Sequence, residues 1–180
     1  MKLSTGKPST IHFRTFATPD GEFFIAFEDD ALLETGWTAL RASLPDVWCA
    51  DKRLAPELVE RIQSSAAGEP VDFTDVVLPE ASEFFAKCRR AVQRVPAGTT
   101  VSYVELARLA GSHAASRAAG QAMRRNPTPI VVPCHRVISA TGSLGGFAGA
   151  SDPRGGAACA ETDLKSRLLE RERGYLRQSA

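Results

Sequence analysis

Residues 126–138 constrain the fold of this chain more than any other segment. A preceding stretch of small residues with helical spacing must end before Pro127, because a proline drives the residue before it out of the helical region. The apolar residues 130–132 follow, and we expect them to form a short buried strand that leads into a Pro-Cys-His motif at 133–135. The chain therefore carries a cysteine and a histidine at the end of a buried element.

The chain has 180 residues, enough for one ordinary domain or two small ones, and 43 % of them are hydrophobic, which suffices for a buried core. Its net charge of +1 excludes a strongly basic protein that coats nucleic acid, so any such contact must come from a local patch. No apolar run approaches the ~20 residues of a membrane span, and the first residues lack the apolar core of a signal peptide. We expect a globular, cytoplasmic protein without a membrane partner.

The four cysteines are far apart in the sequence and form no CxxC pair, which argues against a zinc site or a redox dithiol. The histidines do not complete a metal-ligand pattern with them, so no metal is expected. In a reducing compartment such a set contains at most one chemically active thiol. The residues compared are Cys49, Cys88, Cys134, Cys159, His12 and His113.

The N-terminal part has strand patterns and one helix. Residues 11–37 have a strand-like pattern: 11–15 alternate apolar and polar side chains, a Pro-Asp-Gly turn follows, and 23–27 are an apolar run, which together predict a β-hairpin. Residues 56–65 have helical spacing, and residues 71–78 look extended. We predict a domain boundary at the proline that follows, which divides the chain into 1–79 and 80–180.

The second domain is predicted to be mainly helical. Ser102 opens one helix, with Glu105 at the spacing of a capping box, and a glycine-containing turn separates it from the next helix. Two short helices joined in this way match the helix-turn-helix pattern, which alone is a weak sign of DNA binding. The four predicted helices cover 81–93, 102 onward, 115–125 and 163–173, and a glycine-rich loop covers 142–156.

The helix predicted over 115–125 combines small residues with positive charge. Its alanines and glycine leave almost no bulk, while Arg117, Arg124 and Arg125 supply cations. Such a helix either packs closely in the core or approaches DNA closely, and its composition does not decide between the two.

Cys134 and His135 are candidate nucleophile and base. A thiol becomes a good nucleophile when a neighbouring base or cation favours the thiolate. Adjacent side chains in an extended segment point to opposite faces, so we expect the coupling to run through a water or a bend after Pro133. By itself, a cysteine that follows an apolar strand is more often a buried hydrophobe than a nucleophile.

The run Asn-Pro-Thr-Pro-Ile-Val-Val-Pro-Cys-His-Arg-Val-Ile at 126–138 resembles the active-site signature of the O6-alkylguanine-DNA alkyltransferases, the methylated-DNA–protein-cysteine methyltransferases. The resemblance covers about 84–147 and returns in the last helix, while the N-terminal half is similar only in its hairpin and general layout. Further matching residues are Pro96, Gly98, Ser102, Tyr103, Arg117, Gly120, Met123, Arg124, Gly142, Gly145, Gly149, Leu168, Leu169 and Glu172.

The resemblance implies an irreversible transfer of an alkyl group from O6 of guanine, and also from O4 of thymine, to Cys134 without a cofactor. His135 would be a water-linked base, Glu172 would orient His135, and Asn126 would hold the turn between helix and active-site loop. The implied partner is double-stranded DNA that contains O6-alkylguanine, bound by a monomer.

The resemblance also implies how DNA is held. The helix-turn-helix would enter the minor groove, Arg117 would fill the space left by the flipped nucleotide, and Tyr103 would push on the phosphate and line the pocket. The other residues implied to contact DNA are Ala118, Gln121, Ala122 and Arg124. The other residues implied to line the base pocket are Met123, Pro129, Val137, Phe147 and Ala148.

Several residues depart from the family pattern. Phe147 and Ala148 stand where tyrosine and serine are usual, and Arg89 stands where tryptophan is frequent. The stretch 150–161 is longer than the usual link to the last helix, which weakens the assignment of Glu172. The fold expected from the resemblance is a small ribonuclease-H-like α/β domain followed by a mainly helical domain with the helix-turn-helix and the active-site loop.

Two other classes of function are compatible with parts of the pattern. An alkyltransferase-like protein would bind the lesion and recruit other repair factors without chemistry, but such relatives carry tryptophan at the position of Cys134. A helix-turn-helix regulator would bind undamaged sequences and would have no base pocket.

Overall fold

The computed structural model describes residues 10–41, 43–144 and 160–179, with side chains of the last segment from 163 onward. A four-stranded sheet forms its N-terminal part, in the order β3-β2-β1-β4. The first three strands are antiparallel, and β4 pairs in parallel with β1. The predicted hairpin is thus confirmed and continues into a third strand. The strands are β1 Ile11–Thr18, β2 Gly21–Glu28, β3 Ala31–Trp37 and β4 Cys49–Ala50.

Helix α1, Pro56–Ala66, confirms the helix predicted from the spacing of apolar residues. Its buried side chains Leu58, Val59 and Ile62 belong to the same core cluster as Phe23 of β2. Residues 71–78, predicted as extended, form no strand among the described residues, because they contain a turn at 74–76.

Four helices follow in the second half of the chain, and the capping box at Ser102 is confirmed. The Glu105 N–H donates to Ser102 Oγ at 3.1 Å, and the Ser102 N–H donates to Glu105 Oε2 at 2.7 Å. The helices are α2 Glu83–Gln93, α3 Tyr103–Leu109, α4 Ser116–Arg124 and α5 Ala160–Gln178. Two short strands, β5 Val101–Ser102 and β6 Val137–Ile138, pair in parallel.

The predicted strand at 130–132 is wrong. These residues are buried as expected, but they form a tight turn in which Ile130 has φ +70. Prolines at 127, 129 and 133 cannot donate to a strand ladder, so the segment satisfies its backbone locally instead. The Val132 N–H, for example, donates to the carbonyl of Thr128 at 2.8 Å.

The sheet supports this turn directly. The backbone N–H of Thr35 in β3 donates to the carbonyl of Pro127 at 2.9 Å, and its hydroxyl donates to the carbonyl of Pro129 at 2.8 Å. Buried residues of the sheet, α1 and the later helices form a single hydrophobic cluster. The architecture is therefore mixed α/β, while the ribonuclease-H likeness, the helix-turn-helix and the boundary between 79 and 80 stay predictions. No described helix is long and apolar enough to cross a membrane.

Candidate active site

Cys134 lies in a single 3-10 turn, Cys134–Arg136, which follows Pro133. The Cys134 N–H donates to the carbonyl of Val132 at 2.8 Å, and the Arg136 N–H donates to that of Pro133 at 2.9 Å. All three side chains of the turn are buried. The bend that was expected after Pro133 brings the chain inward, so Cys134 and His135 both point into the protein rather than to opposite faces of a strand.

Asn126 joins the end of α4 to this turn. Its Nδ2 donates to the carbonyl of Val132 at 2.9 Å and to Cys134 Sγ at 3.3 Å. Its Oδ1 accepts from the N–H of Thr128 at 3.1 Å. One half-buried amide thus orients the backbone before the cysteine and also contacts the sulfur.

Glu172 lies at the centre of a buried polar cluster and contacts the turn despite the long stretch before α5. Its Oε1 is 2.8 Å from His135 Nε2 and accepts from Arg136 Nε at 3.0 Å and Nη2 at 2.8 Å. Its Oε2 accepts from the Gly98 N–H at 2.8 Å. Gly98 has φ +75, a left-handed backbone conformation that favours glycine at this contact.

Helix α5 is anchored to the N-terminal part, which places Glu172 opposite the turn. Arg167 Nε donates to Asp20 Oδ1 at 2.7 Å, and Arg171 also pairs with Asp20. Arg171 Nε donates to the carbonyl of Ala66 at the end of α1 at 2.8 Å. The helix is thus anchored by two arginines, one of them directly before the residue that contacts His135.

The charges of the cluster determine the tautomer of His135. Burial raises the pKa of Glu172, but the hydrogen bonds from His135 and Arg136 outweigh burial and lower that pKa to about 2. Burial lowers the pKa of His135, so its ring is neutral at neutral pH. An ionised Glu172 can only accept, so Nε2 of His135 carries the proton and Nδ1 is an acceptor. Nδ1 is buried and has no hydrogen-bond partner among the described residues.

The thiol of Cys134 is protonated at rest. Burial raises the pKa of Cys134, and the Asn126 hydrogen bond and the charge of Lys165 lower it only in part. Asn126 and Lys165 thus favour the thiolate as expected, but burial outweighs them and the pKa of Cys134 stays above its ordinary value. A base must take the proton when the thiol reacts, and the acceptor Nδ1 of His135 is a suitable one.

Sequence analysis missed Lys165 and the role of Arg136. Lys165 is 1 % exposed, and its Nζ donates to the carbonyls of Val137 at 2.6 Å and Leu144 at 2.5 Å. Burial lowers its pKa to about 8. A signal was available, because the lysine falls within the apolar stripe of α5 between Leu164 and Leu168.

Of the predicted pocket residues, Tyr103 is half-buried at the start of α3. Burial, and to a smaller extent Cys134, raise the pKa of Tyr103. Gly120 of α4 lies beside the Tyr103 ring, and a Cβ there would be 3.8 Å from it, an ordinary van der Waals distance. Met123 and Val137 are buried in the core cluster that contains Cys134, and Pro129 is buried in the turn. Phe147 and Ala148 lie outside the described residues.

Helix α4 has one buried and one exposed face. Arg117, Gln121 and Arg124 are exposed, and Ala118 is half-buried. Ala122 is fully buried in the core, so its methyl group has a packing role and offers no surface to DNA. The buried alanines at 119 and 122 thus serve close packing in the core, while approach of the exposed face to DNA stays a prediction.

Comparison with known proteins identifies the family of the chain. Residues 83–174 match the sequence model of a protein family, the DNA-binding domain of 6-O-methylguanine DNA methyltransferase. The methylated-DNA–protein-cysteine methyltransferase of Methanosarcina acetivorans is 33 % identical over 144 residues, which cover 79 % of this chain and 92 % of that protein. The constitutive enzyme of Bacillus subtilis with the same name is 33 % identical over 167 residues, which cover 90 % and 95 % of the two chains.

A solved structure extends the likeness to the fold. Mycobacterium tuberculosis OGT in complex with DNA superimposes with a TM-score of 0.74 at 32 % identity, over 91 % of this chain and 93 % of that one. Sequence and fold agree over nearly the whole length of these relatives. The chain therefore belongs to the methylated-DNA–protein-cysteine methyltransferase family.

Proposed function

We propose that this protein repairs alkylated DNA by moving one alkyl group from O6 of guanine, or from O4 of thymine, to Sγ of Cys134. The observation that carries the proposal is the buried arrangement around this sulfur. Asn126 donates to Sγ at 3.3 Å, and the neighbouring His135 is bound to Glu172 at 2.8 Å. A protein that only recognised the lesion would need no such thiol, and neither would a regulator of undamaged DNA.

The chemical step is a displacement at the alkyl carbon. The thiol proton passes towards Nδ1 of His135, through a bridging water, and Glu172 stabilises the cation that forms. The sulfur electron pair then forms the carbon–sulfur bond, the carbon–O6 bond breaks, and its electron pair stays on the guanine, which takes up a proton. The product is a thioether and an unmodified base.

The reaction is proposed to occur once per protein molecule. A thioester, as formed by cysteine hydrolases, has a carbonyl carbon that water can attack with histidine as base. The carbon–sulfur bond of S-methylcysteine has no such weak point. No cofactor takes part, and the protein acts as a monomer; its cytoplasmic location stays a prediction.

Access to the base requires that the nucleotide leave the stack, because a buried thiol cannot reach a base atom inside a duplex. We assign α3 and α4 as a helix-turn-helix that binds the minor groove, with Arg117 in the space left by the flipped nucleotide and Tyr103 at the phosphate. Gln121 and Arg124 share the exposed face with Arg117, and Ala118 lies at its edge. Tyr103, Met123, Pro129 and Val137, together with Phe147 and Ala148, are proposed to line the base pocket.

The proposal is tested by incubating the protein with an oligonucleotide that contains O6-methylguanine and then measuring intact mass and peptide masses. We expect one methyl group in place of one hydrogen, on the peptide that contains Cys134. The Cys134→Ser variant should gain none while keeping its affinity for the oligonucleotide. Methylation of Cys49 or Cys88, or transfer by the variant, would disprove the assignment.

A further inference from the structure

A cavity of about 700 Å³ lies away from the Cys134 turn, between α2 and the segment before it. Residues 74–81 line one side, and Arg89 and Arg90 of α2 line the other together with Arg94, which follows the helix. Its volume falls within the range of about 300–1,000 Å³ that is usual for small-molecule sites. None of the residues in the proposed alkyl-transfer machinery lines it.

Arg89, which stands where tryptophan is frequent in the family, is the most unusual group in the wall of this cavity. Its side chain is 5 % exposed, and its two hydrogen bonds are long: Nη1 lies 3.3 Å from the carbonyl of Pro79 and Nη2 lies 3.2 Å from that of Arg125. Its Nε is buried without a hydrogen-bond partner among the described residues. Burial lowers the pKa of Arg89.

No carboxylate of the described residues forms an ion pair with Arg89. A buried guanidinium without a counter-ion is costly, since the charge has lost its hydration and gained only backbone dipoles in return. An anion in the cavity would supply the missing counter-charge.

The other charges around the cavity also favour an anion. Arg90 of α2 and Arg94 directly after this helix are exposed. Asp75 is already neutralised by Arg61, whose Nη1 and Nη2 lie 3.0 and 2.6 Å from its two oxygens. Three arginines therefore line the cavity. Glu80 is the one exposed carboxylate of the lining that has no ion pair in the described structure.

We propose that this cavity binds a phosphate group, carried either by a small molecule or by the DNA backbone, with Arg89 as its main contact and Arg90 and Arg94 as further contacts. A planar guanidinium binds two phosphate oxygens at once, which gives both affinity and orientation. Arg89 also donates to the carbonyl of Arg125 at the end of α4, so a bound phosphate lies close to the proposed DNA-binding helix. The site is independent of the alkyl transfer.

The test measures thermal unfolding of the full chain in sodium phosphate and in sodium chloride at equal ionic strength. Phosphate should raise the unfolding temperature beyond chloride for the wild type. Arg89→Met, which keeps the stem of the side chain but removes its charge, should weaken phosphate binding at least tenfold, or about 1.4 kcal/mol. Arg53→Gln, an exposed arginine outside the cavity, is the matched control and should behave like the wild type.

Identical unfolding temperatures in phosphate and chloride for the wild type, or full phosphate binding by Arg89→Met, would overturn the proposal. If Arg89→Met does not fold, the double variant Arg90→Gln, Arg94→Gln changes only exposed side chains. It must then weaken phosphate binding, and unchanged binding would overturn the proposal in the same way.

Competition with an undamaged duplex identifies the source of the phosphate. If phosphate displaces the duplex from the wild type but not from Arg89→Met, the backbone of DNA is the occupant. If phosphate and the duplex bind together, a small phosphate-bearing molecule is the occupant. Both results require phosphate to bind at Arg89, and neither depends on alkyl transfer.

Discussion

The Cys134 turn and the exposed face of α4 meet at Asn126, but they are stabilised in opposite ways. In the turn, buried side chains bind one another or the backbone, and Glu172 alone accepts from three residues. On α4, the exposed side chains of Arg117 and Gln121 form no hydrogen bond or ion pair within the described structure. The groups proposed to handle the reacting bond are thus held in place by the protein itself, whereas the groups proposed to contact DNA would be ordered only when DNA binds.

The largest effect is expected in the preorganised region, from Glu172→Gln. The change removes the only carboxylate partner of buried Arg136 and the orienting group of His135 among the described residues. We expect a loss of about 3–5 kcal/mol in the free energy of unfolding and a rate of transfer slower by about 10²-fold or more. Urea unfolding and single-turnover transfer measure the two effects.

Glu170→Gln is the matched control for this variant, because Glu170 is exposed on the same helix. It should change stability by no more than about 0.5 kcal/mol. If the two variants have the same stability and the same transfer rate, the Glu172 cluster does not hold the turn.

The pH dependence of stability tests the same cluster in the wild type. The pKa of Glu172 is lowered to about 2 from its ordinary 4.5, so its contribution is fully present above pH 4.5 and is lost as the pH falls towards 2. The shift corresponds to about 3 kcal/mol. The difference in unfolding free energy between wild type and Glu172→Gln should therefore shrink between pH 5 and pH 2, and a constant difference would contradict the assignment.

A smaller and more selective effect is expected on α4. Arg117→Ala should lower the rate of repair in duplex DNA by about tenfold or more, roughly 1.4 kcal/mol, because the flipped state loses its support. Reaction with free O6-benzylguanine needs no flipping and should stay within about twofold, and unfolding should be unchanged. Equal losses on both substrates would show that Arg117 acts on the pocket and not on the duplex.

The smallest effect tests whether the sheet supports the turn. Thr35→Val keeps the shape of the side chain but leaves the buried carbonyl of Pro129 without its hydroxyl donor. We expect a loss of about 1–2 kcal/mol in stability and a modest loss of transfer rate. Thr38→Val is the control, since the hydroxyl of Thr38 makes a comparable bond to Glu22 at an exposed position. Identical stability of the two variants would show that the Thr35 hydroxyl does not stabilise the turn.

The elements set by local patterns could be predicted from the sequence. The hairpin, α1 and the capping box of α3 follow from the strand-like pattern of 11–37, helical spacing and the Ser102–Glu105 pair, whereas β4, β5 and β6 were not predicted. The ends of the helices moved by one to several residues, and α5 begins at Ala160 rather than at 163. The segment 130–132 has the buried apolar residues of a strand, but the prolines around it require local hydrogen bonds instead of a strand ladder.

The site was predictable where its residues are adjacent in the sequence and less so where they are distant. Cys134 and His135 belong to one motif, and Asn126 begins it. The contact between Glu172 and His135 spans 37 positions and could be expected only from the family resemblance. Tertiary packing, which no local pattern specifies, determines the burial of Lys165 and Arg136. It also determines that Nε of Arg89 is buried without a hydrogen-bond partner among the described residues.

The mechanism depends most on one property of Cys134, which accepts a single alkyl group irreversibly. The most direct measurement follows repair of O6-methylguanine in a duplex present in tenfold excess over the protein, with simultaneous mapping of methylated peptides. We predict a burst equal to at most one lesion per protein molecule, followed by no further repair, with the methyl group on the Cys134 peptide. Repair of more lesions than there are protein molecules, or activity that persists in Cys134→Ser, would contradict it.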